Sequence, residues 1–424
     1  MYGFNKSVLK IVEQPKESYI KIRQEESGNI GFKKINETGF NIIKLLYEGF
    51  DKNQIIERLS HQYSDSNLSN KVNSFIETLE KFKLIKKIED QIYRPLYFGS
   101  NDFFTPSYII LEISENCLLN CSHCYLGKKK TNYMDFDKLK LLLANLYELG
   151  VDTIQLTGGE PLLYPFLDEL IELLKGYGFQ VLISTSGYLP GCELSKIFKI
   201  LRKLNKETDY IQVSLDGLEK THNFLRGAKD AFVKTTEFIK LLIENDIKIN
   251  IATVIQKSNI NEIDELAEFT KSLGVNRLRL SSLMLIGNAK QEQILPNEEL
   301  EKVINRIAKK YSDNFFQVEN SENAYKIIAQ RTAPNCGAGS LMYTIGSDFS
   351  VYACTMYRKP LFNTNTMSFM EGIKKNSIES YNRKAPNEKD CKNCKMINNC
   401  KGCLTQGMLN SLLQNCEWSL KWNS

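Results

Sequence analysis

Two spacings of apolar residues occur in a different order before about residue 90 and after about residue 108. In the first part, three runs alternate apolar and polar residues as strands do, and three later segments repeat apolar residues at helical spacing. The predicted strands are 7–12, 18–23 and 30–35. The predicted helices are 38–48 with Asn36 as N-cap, 53–63 and 70–84, followed by a short strand at 84–88.

From residue 108 onward, strand patterns alternate with helix patterns, which predicts an α/β fold with a parallel sheet and right-handed crossovers. Ligand sites in such sheets gather at the carboxyl ends of the strands. The predicted strands are 108–114, 152–156, 179–184, 210–215, 247–254 and 276–281. Residues 93–107 are predicted to be a linker, and a charged amphipathic helix is expected at 296–312.

Composition narrows the class of protein only slightly. Of the 424 residues, 42% are hydrophobic and 25% are charged, as in ordinary globular proteins. No apolar run approaches a bilayer span and no signal-peptide pattern opens the chain, so we expect a cytoplasmic protein without a membrane partner. A net charge of +5 is mild for this length and gives no argument for nucleic acid.

Eleven cysteines are unusual for a cytoplasmic chain, where metal binding or catalysis is more typical than disulfides. Ten of them form two groups, and Cys192 stands apart as a plain thiol. Cys117, Cys121 and Cys124 follow the strand at 108–114 with C-x3-C-x2-C spacing. Three thiolates on a [4Fe-4S] cubane leave one iron open for a small chelating ligand. The alternative is a zinc site, for which His123 is the nearest fourth ligand.

This spacing resembles the motif of radical S-adenosylmethionine (radical SAM) enzymes, in which the amino and carboxylate groups of SAM bind the open iron. The resemblance implies a partial (β/α)6 barrel. It also implies that an electron from the cluster cleaves SAM to methionine and a 5'-deoxyadenosyl radical, which abstracts hydrogen from unactivated carbon. No catalytic residue beyond the cluster ligands is expected.

Several strand ends also resemble SAM-binding motifs of that family. The run Gly158, Gly159, Glu160 resembles the GGE motif that holds the methionyl amine, and Ser186 stands where the family has Asn. Each motif has a simpler alternative. For most of them it is a turn, and for Arg226 it is a surface ion pair. The remaining candidates for SAM contact are Ser214, Asp216, Arg226, Thr253 and Leu280.

The second cysteine group resembles the SPASM extension, which carries two auxiliary [4Fe-4S] clusters. The four central cysteines alone would also suit zinc. By position, the first auxiliary cluster takes Cys336, Cys354 and Cys403. The second takes Cys391, Cys394, Cys400 and Cys416. Seven cysteines for eight ligand positions leave one iron open. Phe349 departs from the family pattern, which has glycine there, and the final C-x2-C spacing resembles thioether-forming peptide maturases.

The order of elements up to about residue 90 resembles the recognition element of enzymes that modify ribosomally made peptides (RiPPs). In that family a leader peptide adds a strand to the sheet edge, here expected at 30–35 beside the helix 70–84. A winged-helix DNA binder or an oligomerisation domain is the alternative.

Together these resemblances imply a recognition element at 1–92, a linker at 93–107, a radical SAM core at 108–310, and a bridging region with the SPASM domain at 311–424. Three [4Fe-4S] clusters and SAM are the expected cofactors. The expected partners are a precursor peptide and an electron donor such as flavodoxin or ferredoxin. The expected reaction is a Cys sulfur-to-carbon thioether crosslink. The alternatives are a streptide-type carbon–carbon crosslink, maturation of a folded protein such as a sulfatase, and nucleic-acid regulation through the N-terminal fold.

Overall fold

The computed structural model describes residues 2–16, 18–23, 30–88, 93–127, 130–320 and 335–383. The chain divides into two compact units. The first unit is Met1–Thr105 with Glu148–Gly150, and the second is Pro106–Tyr147 with Val151–Ser424. None of the described helices combines the length and apolar character needed to cross a membrane.

The described residues of the first unit form two small sheets and three helices. Its strands are β1 Tyr2–Phe4, β2 Val8–Glu13, β3 Ser18–Arg23, β4 Ile30–Ile35, β5 Ile85–Lys87 and β6 Leu96–Gly99. Its helices are α1 Glu37–Glu48, α2 Lys52–Ser60 and α3 Leu68–Lys81. One sheet has the order β4-β3-β2-β6, and β1 pairs with β5.

Local sequence explains where α1 begins and ends. The Asn36 side chain accepts the Gly39 N–H at 2.9 Å, which satisfies one of the free amides at the start of the helix. Gly49 ends the helix in the left-handed region at φ +97°, where glycine is favoured. The buried face of α1, including Phe40 and Ile43, joins the core of this unit with apolar residues from the strands and from α2 and α3.

The sequence-based strands and helices of this unit are found, with two additions. The expected linker at 93–107 contains β6, which pairs in parallel with β2. The expected strand after α3 is β5. It pairs with β1, a strand that the sequence pattern did not predict. Both additions are short, and a run of three or four residues carries too little periodicity to be recognised by pattern. Within the described residues, β4 is an edge strand that pairs with β3 alone.

The second unit is built on one ten-stranded sheet. Its strands are β7 Tyr108–Ser114, β8 Thr153–Gly158, β9 Gln180–Thr185, β10 Tyr210–Ser214, β11 Ile249–Ile255, β12 Arg277–Ser282, β13 Gln317–Asn320, β14 Met342–Ile345, β15 Ser350–Cys354 and β16 Tyr357–Asn363. Its described helices are α4 Phe136–Glu148, α5 Leu167–Gly176, α6 Leu194–Leu201, α7 Glu219–Arg226, α8 Ala231–Glu244, α9 Ile263–Ser272, α10 Asn297–Tyr311 and α11 Phe369–Asn382.

The sheet order is β13-β12-β11-β10-β9-β8-β7-β14-β15-β16. Strands β7 to β13 are parallel and follow one another in sequence order, so the prediction of an α/β fold with a parallel sheet is confirmed. Strand β14 lies parallel to β7 on the other side, while β15 and β16 are antiparallel additions. The carboxyl ends of seven successive parallel strands therefore meet at one edge, which is where the cysteine loop leaves β7.

Candidate functional site

A cavity of about 770 Å³ lies within the second unit. The three cysteines of the loop after β7, Cys117, Cys121 and Cys124, line it together with residues from the strand ends. The turn after β8 is hydrogen-bonded to this loop: the Gly159 N–H donates to Ser114 O at 2.6 Å, and the Glu160 N–H donates to the Asn116 carbonyl at 2.7 Å. The GGE turn therefore fixes the start of the cysteine loop.

Both glycines of that turn are required by close backbone contact. A Cβ on Gly158, which has φ +120°, would lie 2.1 Å from Ser114 O. A Cβ on Gly159 would lie 2.3 Å from Asn116 O. Since backbone atoms cannot move aside as a flexible side chain can, a larger residue would displace the cysteine loop.

Substitution Gly158→Ala is expected to destabilise the protein by about 2 kcal/mol, because alanine disfavours this φ and would clash with Ser114 O. The displaced loop should also retain less iron after reconstitution. Urea unfolding of the iron-free protein and iron analysis measure the two effects. Gly176→Ala is the matched control, since a Cβ there meets no atom within 4 Å. Equal stability and iron content in the two variants would contradict the proposed constraint.

Glu160 is fully buried and lies behind the cavity wall. Its carboxylate accepts hydrogen bonds from Thr185 Oγ1 at 2.7 Å and from Ser186 Oγ at 2.6 Å, and from the backbone N–H groups of Ser186 and Leu162. Burial raises the pKa of Glu160, although these hydrogen bonds oppose the shift. The described contacts give Glu160 the role of positioning Ser186, which lines the cavity.

Asp216 and Arg226 form a buried ion pair beside the cysteines. Arg226 Nη2 lies 2.6 Å from Asp216 Oδ2, and Arg226 Nη1 lies 3.8 Å from Cys121 Sγ. The Val254 N–H donates to Asp216 Oδ1 at 2.9 Å. Burial acts to raise the pKa of Asp216, but the charge of Arg226, joined by His123, holds it well below its usual range. The structure therefore places Asp216 and Arg226, both predicted from sequence, together beside the Cys121 thiol.

His123 and His222 both pack against this pair. His123 Nε2 lies 3.3 Å from Asp216 Oδ2. His222 Nδ1 accepts the Asp216 N–H at 3.1 Å. Burial, assisted by the charge of Arg226, lowers the pKa of His222 to about 3, so it stays neutral at physiological pH.

Burial affects the acidity of two of the cysteine thiols, those of Cys117 and Cys121. Burial raises the pKa of Cys117 to about 11, and the charge of Glu160 adds to this. Burial also raises the pKa of Cys121, with Arg226 opposing it. Among the described residues no three Cys, His, Asp or Glu side chains converge closely enough to hold a single metal ion. A cubane binds each thiolate through a different iron, so the triplet fits a cluster better than a zinc ion.

The other predicted SAM contacts divide into two sets. Ser214 lines the cavity at the end of β10, as do Gly158 and Gly159 at the end of β8. Thr253 is buried and its hydroxyl donates to Leu215 O at 2.6 Å, and Leu280 is also buried away from the cavity. Strand residues alternate between faces, so the neighbours of Thr253 and Leu280 line the cavity instead.

Two cysteines of the second group, Cys336 and Cys354, line the same cavity as the first triplet. They pack near Tyr108 and Ile110 of β7. Cys391, Cys394, Cys400, Cys403 and Cys416 lie outside the described residues, as does the side chain of Cys192. Phe349 has φ +65°, so the position where the family pattern has glycine does require a left-handed backbone.

Sequence reasoning missed several polar residues of the second unit. Glu112 of β7 forms a buried ion pair with Arg358 of β16, at 2.6 and 3.0 Å. Gln155, Ser184 and Arg279 point into the cavity from β8, β9 and β12. A parallel strand covered on both faces is normally apolar throughout. The polar residues at alternate positions of these strands could therefore have indicated that Gln155, Ser184 and Arg279 face a cavity.

Comparison with known proteins gives a family for this region. Residues 111–270 match the Radical SAM superfamily. The antilisterial bacteriocin subtilosin biosynthesis protein AlbA of Bacillus subtilis (strain 168) is 26% identical over 266 residues, which are 62% of this chain and 57% of that protein. The sporulation killing factor maturation protein SkfB of the same strain is 28% identical over 282 residues, which are 64% of this chain and 66% of that protein. The matched regions thus span less than two thirds of each relative.

The fold is also found among solved structures. Streptococcus suis SuiB bound to precursor peptide SuiA aligns over 98% of this chain and 97% of its own, with a TM-score of 0.66 and 16% identity. At this identity the likeness concerns the fold alone. The cysteine triplet and the parallel sheet agree with the match of residues 111–270 to the Radical SAM superfamily.

Proposed function

We propose that this chain forms an intramolecular thioether, from a Cys sulfur to a carbon, in a ribosomally made precursor peptide. The observation that carries the proposal is the shared cavity: the cysteine triplet lines it together with Cys336 and Cys354 of the second cysteine group. A peptide segment in such a cavity can approach both cysteine groups at once. The names of AlbA and SkfB, a bacteriocin biosynthesis protein and a maturation protein, support a peptide substrate.

Cys117, Cys121 and Cys124 would hold the first [4Fe-4S] cluster, and SAM bound there supplies a radical able to abstract hydrogen from carbon. The chain's own residues orient and enclose this chemistry. Glu160 fixes Ser186 on the wall, and Arg226 places positive charge beside Cys121. The strands around the cavity limit the access of water.

The thioether is favoured over a carbon–carbon crosslink by cysteine count. Seven cysteines in the second group for two proposed auxiliary clusters leave one iron open, and a substrate thiolate is a suitable ligand for it. In this proposal residues 311–424 hold the two auxiliary clusters as a SPASM domain. A flavodoxin or ferredoxin supplies the electrons.

We assign residues 1–92 to binding of the leader peptide. Strand β4 is an edge strand within the described residues, and an extended peptide can pair with such an edge through main-chain hydrogen bonds. Lys33 and Lys34 are exposed on this strand. Exposed lysines on an edge discourage uncontrolled pairing while leaving the backbone open to a specific strand.

Proline at the edge of β4 is expected to weaken precursor binding at least tenfold. Neighbouring residues of an antiparallel strand alternate in N–H direction, so one of Lys33→Pro and Lys34→Pro removes an outward N–H without breaking a bond to β3. The variant that keeps its bonds to β3 is identified by a thermal unfolding midpoint equal to that of the wild-type protein. Its affinity for the full-length precursor, measured anaerobically, should fall, and an unchanged affinity would contradict leader binding at this edge.

Co-expression with the peptide encoded by a neighbouring short reading frame tests the reaction. Mass spectrometry should show the loss of two hydrogen atoms and a cysteine that no longer reacts with iodoacetamide. Cys→Ala substitution in the peptide should abolish the product. If two hydrogens are lost but the cysteine still alkylates, the bond is a carbon–carbon crosslink instead. Modification of a co-expressed folded sulfatase, with no change in any peptide, would reject peptide maturation.

A further inference from the structure

A belt of polar side chains crosses the cavity wall on strands β8, β9, β10 and β12, before their carboxyl ends. Gln155 Nε2 donates to Ser184 Oγ at 2.7 Å, and Gln212 Nε2 donates to the same oxygen at 3.4 Å. Arg279 Nη1 donates to Gln212 Oε1 at 3.3 Å and to Tyr210 Oη at 3.3 Å. The belt therefore runs from β8 through β9 and β10, and Arg279 reaches it from β12 across the intervening strand β11.

This belt lies between the two groups of cysteines. Towards the carboxyl ends of the strands, the next inward residues are Ser186, Ser214 and Ser281, on the same edge as the cysteine triplet. On the other side, Tyr108 and Leu182 belong to an apolar cluster against which Cys336 and Cys354 pack. A segment of substrate that reaches both groups within this cavity can therefore contact the belt.

Among the described residues, positive charge exceeds negative charge at the β12 end of the belt. Arg277 Nε lies 3.3 Å from Glu319 Oε1, and Arg279 Nε lies 3.8 Å from Glu319 Oε2, so two guanidinium groups share one carboxylate. The Arg279 side chain is 15% exposed, and its Nε has no hydrogen-bond partner in the described part of the chain. The other acids of the cavity wall have their own cations, Asp216 with Arg226 and Glu115 with Lys130.

We propose that Arg279, with Arg277 beside it, holds a carboxylate of the peptide substrate, from an Asp or Glu side chain near the residues to be joined. A guanidinium presents several N–H donors in one plane, and here hydrogen bonds are made through Nη1 alone in the described residues. A largely buried cation with unused donors gains more from a carboxylate than an exposed one does, because water screens the pair less. This inference names the substrate class for the proposed peptide reaction and rests on it.

The kinetic test uses the full chain and the neighbouring precursor peptide. Arg279→Gln should raise KM for the peptide at least tenfold, and Arg279→Lys should recover part of the loss because it keeps the charge. Replacing the peptide's acidic residue by its amide should raise KM as Arg279→Gln does. In a charge reversal, the Arg279→Glu enzyme should process a peptide in which Lys replaces the acidic residue better than it processes the wild-type peptide. Arg202→Gln, at an exposed site after α6, is the control. Equal KM for acidic and amide peptides would overturn the inference even if crosslinking proceeds.

A binding test separates this inference from the proposed reaction. Saturation-transfer NMR with acetyl-aspartate methylamide and acetyl-asparagine methylamide should show preferential binding of the aspartate probe, reduced at least tenfold in Arg279→Gln and retained in Arg202→Gln. That result without any peptide product would support the carboxylate site and reject the proposed function. Equal signals from the two probes, or a loss in Arg279→Gln of SAM affinity alone, would overturn the carboxylate site.

Discussion

Triple substitution of Cys117, Cys121 and Cys124 by Ala should remove about four of about twelve irons and abolish SAM cleavage. All three thiols line one cavity from a single loop, and burial keeps the pKa of Cys117 at about 11 in the absence of a cation. The Cys117 thiol therefore loses its proton when iron binds, so binding of the cluster and deprotonation of Cys117 are coupled. Loss of these ligands leaves the first cluster without protein support.

Anaerobic reconstitution, followed by iron and sulfide analysis, measures this loss. The reduced wild-type protein should also show an electron paramagnetic resonance signal that SAM perturbs, and the triple variant should not. Leu118→Ala is the matched control, since Leu118 lies on the same loop but is exposed. A full iron complement in the triple variant would reject the first-cluster assignment, and zinc in place of iron in the wild-type protein would support the alternative metal.

Much of the second unit could be predicted from sequence because its strands are long and follow one another. The spacing of apolar runs predicts the strands from β7 to β12, and parallel topology then places the cysteine triplet and Asp216 at one edge. That reasoning needs only local periodicity and a general rule of handedness. It gives the position of a residue along the strand, but the direction of its side chain depends on the register.

Side-chain direction explains why two residues predicted to contact SAM, Glu160 and Thr253, do not line the cavity. Glu160 follows a glycine pair at a sharp turn, and the turn sends its carboxylate behind the wall to Thr185 and Ser186. Thr253 is one residue away from an inward-facing position, and this single step places it on the opposite face of β11. A shift of one residue lies within the uncertainty of strand boundaries read from sequence, so the cavity-facing set could not be fixed.

Long-range pairing was beyond pattern reasoning altogether. Glu112 and Arg358 are 246 residues apart, and nothing near either residue indicates the other. Glu112 could be recognised as an acid within an apolar strand, which needs a partner when buried. Its partner comes from β16, whose place beside β15 and β14 depends on tertiary packing.

Arg358→Met should lower the free energy of unfolding of the iron-free protein by about 3 kcal/mol, because it leaves Glu112 buried without its cation. Glu112 is 2% exposed and Arg358 holds both of its carboxylate oxygens. Arg358 also stacks on Tyr352, with 4.3 Å between the guanidinium carbon and the ring centroid, and methionine keeps part of that packing. Lys140→Met, which removes a surface ion pair with Asp137, should change stability by less than about 1 kcal/mol.

The pH dependence of the Arg358→Met deficit distinguishes a charge effect from lost packing. Burial already raises the pKa of Glu112, and Arg358 opposes that shift. Without Arg358 the pKa rises further. A raised pKa in the folded state makes protonation favour folding, so the deficit should be largest near neutral pH and shrink as the pH falls through the raised pKa. The double variant Glu112→Leu with Arg358→Met should recover most of the stability, since an apolar pair needs no counter-charge. A deficit that is independent of pH and persists in the double variant would mean that packing of Arg358, rather than its charge, stabilises the contact between β7 and β16.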